Sequence, residues 1–186
     1  MLLVQGGDPD SRTAQPGQYL GEGELPYSIP AEIKPQFYHK RGALAAARES
    51  DNVNPEKKSS STQFYIVHGT NLTEEDLNTI EQKKNDLLFT RKLEEIINPS
   101  NSLSIAVKTD SAIEIAKKHQ QKNQFKFSSN QRKTYLHSGG VPRLDQNYTV
   151  FGEVVEGMEV VDKIANLQTD GNDRPIEDIK FTITIK

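Results

Sequence analysis

Side chains with obvious reactivity are few in this chain. There is no cysteine, which excludes disulfides, thiol catalysis and thiolate metal sites. The four histidines, His39, His68, His119 and His137, show no metal-ligand spacing such as His-Glu-x-x-His, so no metal is expected. What stands out instead are short segments that gather glycine, glutamine, tyrosine and small apolar residues: Gln5-Gly6-Gly7-Asp8, Gly42-Ala43-Leu44-Ala45-Ala46-Ala47, Ser61-Thr62-Gln63-Phe64-Tyr65-Ile66, and Leu144 through Val154.

The elements that must carry these segments fall into three stretches. From Leu2 to about Thr70 the sequence is dense in Gly, Pro and short apolar runs, as in strands joined by turns. Tyr27–Ile33 and Gly42–Ala47 read as buried strands, and Gln63–Val67 is the clearest strand. From Asn71 onward, Thr73-x-x-Asp76 forms a capping box. Leu77, Ile80, Leu87, Leu88, Ile96 and Ile97 then recur at helical spacing up to Pro99. Ser111-x-x-Glu114 is expected to cap a second helix, and Lys122–His137 reads as a polar loop. From Gly139 the β character returns, with a strand over Thr149–Val155, a short helix around Met158–Ile164, and a closing strand alternating Ile179, Phe181, Ile183 and Ile185.

A length of 186 residues suits one domain, with room for a large insertion, and not two. The net charge of −3, from 23 basic and 26 acidic residues, leaves no electrostatic footprint for nucleic acid. Lys57-Lys58, Lys83-Lys84 and Lys117-Lys118 read as solvated faces. No apolar run approaches the roughly 20 residues of a membrane span, and the segment after Met1 is not a signal peptide. A soluble chain, cytoplasmic or periplasmic, is expected.

Taken in order, the four segments resemble the cyclophilin family of peptidyl-prolyl cis-trans isomerases, in a bacterial-looking form. Ile29-Pro30-Ala31-Glu32 before His39-Lys40-Arg41-Gly42, and Glu156 to Ile164 after the Phe151-Gly152 strand, add to the resemblance. It covers Leu2 to about Thr70 and about Gly139 to Lys186. It implies a mainly β fold with some α: an antiparallel β-barrel, incomplete at its N-terminus, in one domain over residues 1–186, with a mostly helical insertion at 71–138.

The resemblance implies isomerisation of Xaa-Pro bonds in proline-containing polypeptides, assisting protein folding, with no cofactor. By motif position, Leu3, Tyr65 and Leu144 match the family's apolar pocket, with Leu2 beneath them. Gln5 matches the glutamine that orients the substrate and is the catalytic candidate. Ala47 and Arg48 match the stretch whose backbone pairs with the substrate chain, and Gln63 matches a second polar pocket residue. Tyr148 stands where many eukaryotic members carry a histidine, and Arg143 where they carry a tryptophan that supports drug binding.

The family also carries an arginine a few residues upstream of Gln-Gly-Gly, where this sequence has only Met1. Arg12, Arg41, Arg48 and Arg143 are the replacements available, each expected to be a surface or loop residue. The resemblance leads us to expect a natural product that begins further upstream. Two other readings remain: a cyclophilin-like module that binds proline-containing peptides with weak or no catalysis, and an interaction role for the apolar stripe of Leu77, Ile80, Leu87 and Leu88.

Overall fold

The computed structural model describes residues 1–98 and 109–185. These residues make two compact units, one formed by Met1–Asn71 together with Ser138–Lys186, the other by Leu72–His137.

The first unit is built on a four-stranded antiparallel sheet of β1 (Leu3–Gly6), β3 (Ala43–Ala46), β5 (Phe64–Val67) and β6 (Val150–Glu153), in the order β1-β5-β3-β6. A separate two-residue ribbon pairs β2 (Ser28–Ile29) with β4 (Ser59–Ser60). In the sheet, Gln5 lies opposite Tyr65, Leu3 opposite Val67, and Ala45 opposite Tyr65. Side chains alternate between faces, so these residues share one face. That face is the core, where Ala43, Ala45, Tyr65, Val67, Val141 and Val150 are buried, with Leu2, Leu3, Ala47, Leu144 and Tyr148 against them. A short 3-10 turn at Pro142–Leu144 and the helix α4 (Met158–Ala165) complete the unit.

The second unit contains α1 (Glu74–Ile97), α2 (Thr109–Lys122) and most of α3 (Ser129–Ser138). The Thr73 capping box forms as expected: Asp76 N–H donates to Thr73 Oγ1, and Thr73 N–H donates to Asp76 Oδ2. Glu74, Glu75 and Asp76 put negative charge at the positive end of the helix dipole. Ile96 of α1 packs with Ala112 and Ala116 of α2, flanked by Phe89 and Leu93. Asn85 exchanges two hydrogen bonds with the backbone of Phe125 and accepts from Gln120 at its own carbonyl.

The sheet of the described strands is open, with β1 and β6 at its edges and not paired with each other. Four expectations are corrected. Tyr27–Ile33 yields only the two-residue β2, with Tyr27 and Ile29 exposed. Residues 179–185 alternate as a strand would, yet they join no strand among the described residues. Ile183 and Ile185 are exposed, and only Phe181 finds a ring, edge-on to Phe64 at 6.0 Å. Lys122–His137 is not a loop throughout, because Ser128 and Gln131 exchange capping bonds that start α3. Ser111 does not cap α2, which opens at Thr109. In the α1 stripe, Leu77 and Ile96 are buried, whereas Leu87 and Ile97 are exposed. Pro99 lies outside the described residues. No helix among the described residues is long and apolar enough to cross a membrane.

Gly7 and Gly17 both have positive φ, +91° and +77°, but a Cβ on Gly7 would overlap the Thr62 carbonyl, whereas nothing lies near Gly17. An alanine at positive φ costs about 1–2 kcal/mol by itself. In urea titrations Gly17→Ala is expected to lose about that much, and Gly7→Ala at least about 1 kcal/mol more.

Candidate functional site

The site is built within the first unit, at the end of the sheet where β1, β5 and the residues after β3 meet the Pro142–Leu144 turn. A cavity of about 150 Å³ is lined by Leu3, Gln5, Ala47, Arg48, Gln63, Tyr65, Leu144 and Tyr148, with Gly21, Glu24, Glu49 and Ser60 completing its wall. All eight residues singled out in the sequence therefore line one cavity. Of the additional four, Gly21, Glu24 and Glu49 come from loops whose path the sequence does not reveal, and Ser60 from β4.

Its floor is aromatic and apolar. Tyr65 is 2% exposed and meets Tyr148 edge-on, ring centres 5.8 Å apart. Burial pushes the Tyr65 phenol above its ordinary range, with Tyr148 adding to the effect and Arg48 opposing it. The Tyr65 hydroxyl lies 2.9 Å from His39 Nε2, and His39 Nδ1 lies 3.0 Å from Asp145 Oδ1. Sequence reasoning had no role for His39 or Asp145. A strand-centre tyrosine in an apolar run is the available signal, since a buried phenol needs a hydrogen-bond partner.

The polar rim is tied down as tightly. Gln63 Nε2 donates to the carbonyls of Gly21 and Gly23 at 3.1 and 2.8 Å, and its Oε1 accepts from Gln5 Nε2 at 2.9 Å. Asp8, nearly buried, accepts from the backbone N–H groups of Gly21 and Gly23 on the same loop. The loop wall at Gly21 is thus held from both sides, and exposed Gln5 on β1 is oriented by Gln63.

Arg48 departs from the surface position expected of it, with its side chain only 5% exposed. Its Nε donates to the Asn147 carbonyl, Nη1 to the Glu49 carbonyl and Nη2 to Asp51, while its plane lies over Tyr148 at 4.6 Å. Of the other arginines weighed as replacements, Arg12 and Arg143 are exposed, and Arg41 pairs with Asp162. None of those three lines the cavity. The Ala47 N–H is already donated to the Gln63 carbonyl. No group of metal-ligating residues occurs among the described residues.

The cavity thus has an aromatic floor, aliphatic sides and a fixed amide at its mouth. Residues 1–85 and 75–184 match the family described as cyclophilin type peptidyl-prolyl cis-trans isomerase/CLD. The chain belongs to this cyclophilin family. It is 45% identical over 47 residues to a putative peptidyl-prolyl cis-trans isomerase of Staphylococcus saprophyticus, a stretch that is 25% of this chain and 24% of that protein. Two Arabidopsis thaliana peptidyl-prolyl cis-trans isomerases are also similar. CYP71 is 43% identical over 54 residues, 29% of this chain and 9% of the relative. CYP18-2 is 46% identical over 43 residues, 23% of this chain and 26% of the relative. The chain thus spans about a quarter or less of the length of these curated relatives.

The raised phenol of this cyclophilin has a stability consequence with a definite sign. Unfolded, Tyr65 ionises near pH 10; folded, it holds its proton to higher pH. The folded state therefore binds more protons above about pH 10, and stability falls as pH rises there. Urea midpoints between about pH 9 and 11 are expected to fall for the wild type, and to fall less for Tyr65→Phe.

Proposed function

We propose that this chain catalyses cis-trans isomerisation of Xaa-Pro bonds in proline-containing polypeptides, assisting their folding. The observation that carries the reading is the single cavity shared by Leu3, Gln5, Ala47, Gln63, Tyr65, Leu144 and Tyr148. A cavity of this volume accommodates a benzene-sized ring, and a pyrrolidine ring is smaller.

Rotation about Xaa-Pro is slow because amide resonance raises a barrier of ~18–20 kcal/mol. No bond to the protein is needed to lower it. In the proposed mode the prolyl ring seats against Tyr65, between Leu3, Ala47 and Leu144, and so becomes the fixed end of the rotating bond. An apolar surround disfavours the charge-separated resonance form that gives the C–N bond its double-bond character. Gln5, oriented by Gln63, offers its amide to the peptide group next to the proline, and the Arg48 guanidinium adds fixed positive charge at the wall. With the Ala47 N–H engaged, backbone pairing with the substrate falls to Arg48. Catalysis in this scheme is tighter binding of the twisted bond than of either planar isomer.

The two-segment first unit supports a single cyclophilin-like domain over residues 1–186, with its sheet an arc of the family barrel. The helical stretch 71–138 would then be an insertion in it.

Exchange NMR on an Ala-Ala-Pro-Phe peptide tests the function. Cis-trans exchange is expected to rise in proportion to added protein, and Gln5→Ala to lower that catalysed rate about 10- to 100-fold while remaining folded. Peptide binding without faster exchange would reduce the reading to a proline-binding module.

A further inference from the structure

Tyr65 presents its ring to the cavity, but its hydroxyl ends on a fully buried imidazole. His39 is itself held by one carboxylate oxygen, which accepts both its backbone N–H at 2.8 Å and its Nδ1 at 3.0 Å. That carboxylate belongs to Asp145, 3% exposed and next in sequence to the cavity residue Leu144. A carboxylate can only accept, so Nδ1 carries the proton. In the neutral ring Nε2 then accepts, and the Tyr65 hydroxyl donates to it. The imidazole lies nearly parallel to the Tyr65 ring, with centres 6.0 Å apart, and meets Tyr148 edge-on at 6.2 Å.

We propose that His39 is a positioning residue for the proline site: through its Nε2 it holds the Tyr65 ring, and with it Tyr148, as the walls of the cavity. The role rests on the cavity being the Xaa-Pro site. A phenol deprived of its acceptor in an apolar core must find another, and the accessible polar space lies toward the cavity. Turning there, Tyr65 would occupy the volume a prolyl ring needs. Asp145 fixes the tautomer and aims the imidazole, so the chain Asp145, His39, Tyr65 links the turn behind Leu144 to the cavity floor.

The test uses NMR titration of the folded full chain with Ala-Ala-Pro-Phe, together with the His39 tautomer read from long-range 1H–15N correlations. The wild type should bind and show the Nδ1–H tautomer; the Nε2–H tautomer would overturn the proposal without any variant. His39→Asn keeps a donor toward Asp145 but cannot reach Tyr65, and should weaken binding about 10-fold, the effect of one hydrogen bond. His39→Gln places an acceptor near the position of Nε2 and should restore affinity to within about 3-fold. In the Tyr65→Phe background, which lacks the hydroxyl, His39→Asn should change affinity by less than about 2-fold. Unchanged affinity in folded His39→Asn, or an equal loss with and without the Tyr65 hydroxyl, overturns the positioning role alone. A wild type that does not bind the peptide overturns the reading of the cavity and this role with it.

Discussion

Everything at the site hangs on the register of β5 between its two neighbours. Because side chains alternate along a strand, a slip of β5 by one residue would turn Tyr65 and Val67 away from the core face that Leu3 and Gln5 share, and bring Phe64 and Ile66 onto it. The fourth strand keeps the same face by an irregularity. Ala43 pairs with Glu153 and Leu44 with Gly152, but Ala45 pairs with Val150. The skipped residue is Phe151, which is exposed, while Val150 is buried in the core. A regular ladder would have set Phe151 against Ala45; the bulge exchanges it for Val150.

With the face set, two hydrogen-bond systems give the cavity its shape. Beneath it, Asp145 and His39 hold the phenol of Tyr65 in a core otherwise made of Ala and Val. At the rim, Gln63 and Asp8 pin the Gly21–Gly23 loop, and Gln63 orients Gln5. In a low-dielectric interior each such group would be costly unpaired, so the networks select one arrangement of the walls. The cavity is pre-formed, which favours binding without loop ordering.

The sequence made β3, β5, β6, the start of α1 and α4 legible, because each combines local periodicity with a local stop or cap. It misled at Tyr27–Ile33 and at residues 179–185 for one reason: alternation says which side chains would be buried beside a neighbouring strand, not that a neighbour is there. It missed α3 because the helix is mostly polar, though Ser128-x-x-Gln131 has the capping pattern already noted at Thr73. The cavity residues were legible through motif resemblance. The His39–Asp145 bond was not, since its partners lie 106 residues apart and nothing local announces it.

The central claim is that the core face of this sheet ends in a seat for a prolyl ring. The most direct measurement is intermolecular NOEs between the ring protons of an Ala-Ala-Pro-Phe peptide and the bound protein. The account predicts contacts from the prolyl ring to Tyr65, Leu3 and Leu144. Prolyl contacts confined to the neighbouring groove lined by Val53, Asn54 and Pro55, or to α1 and α2, would contradict it.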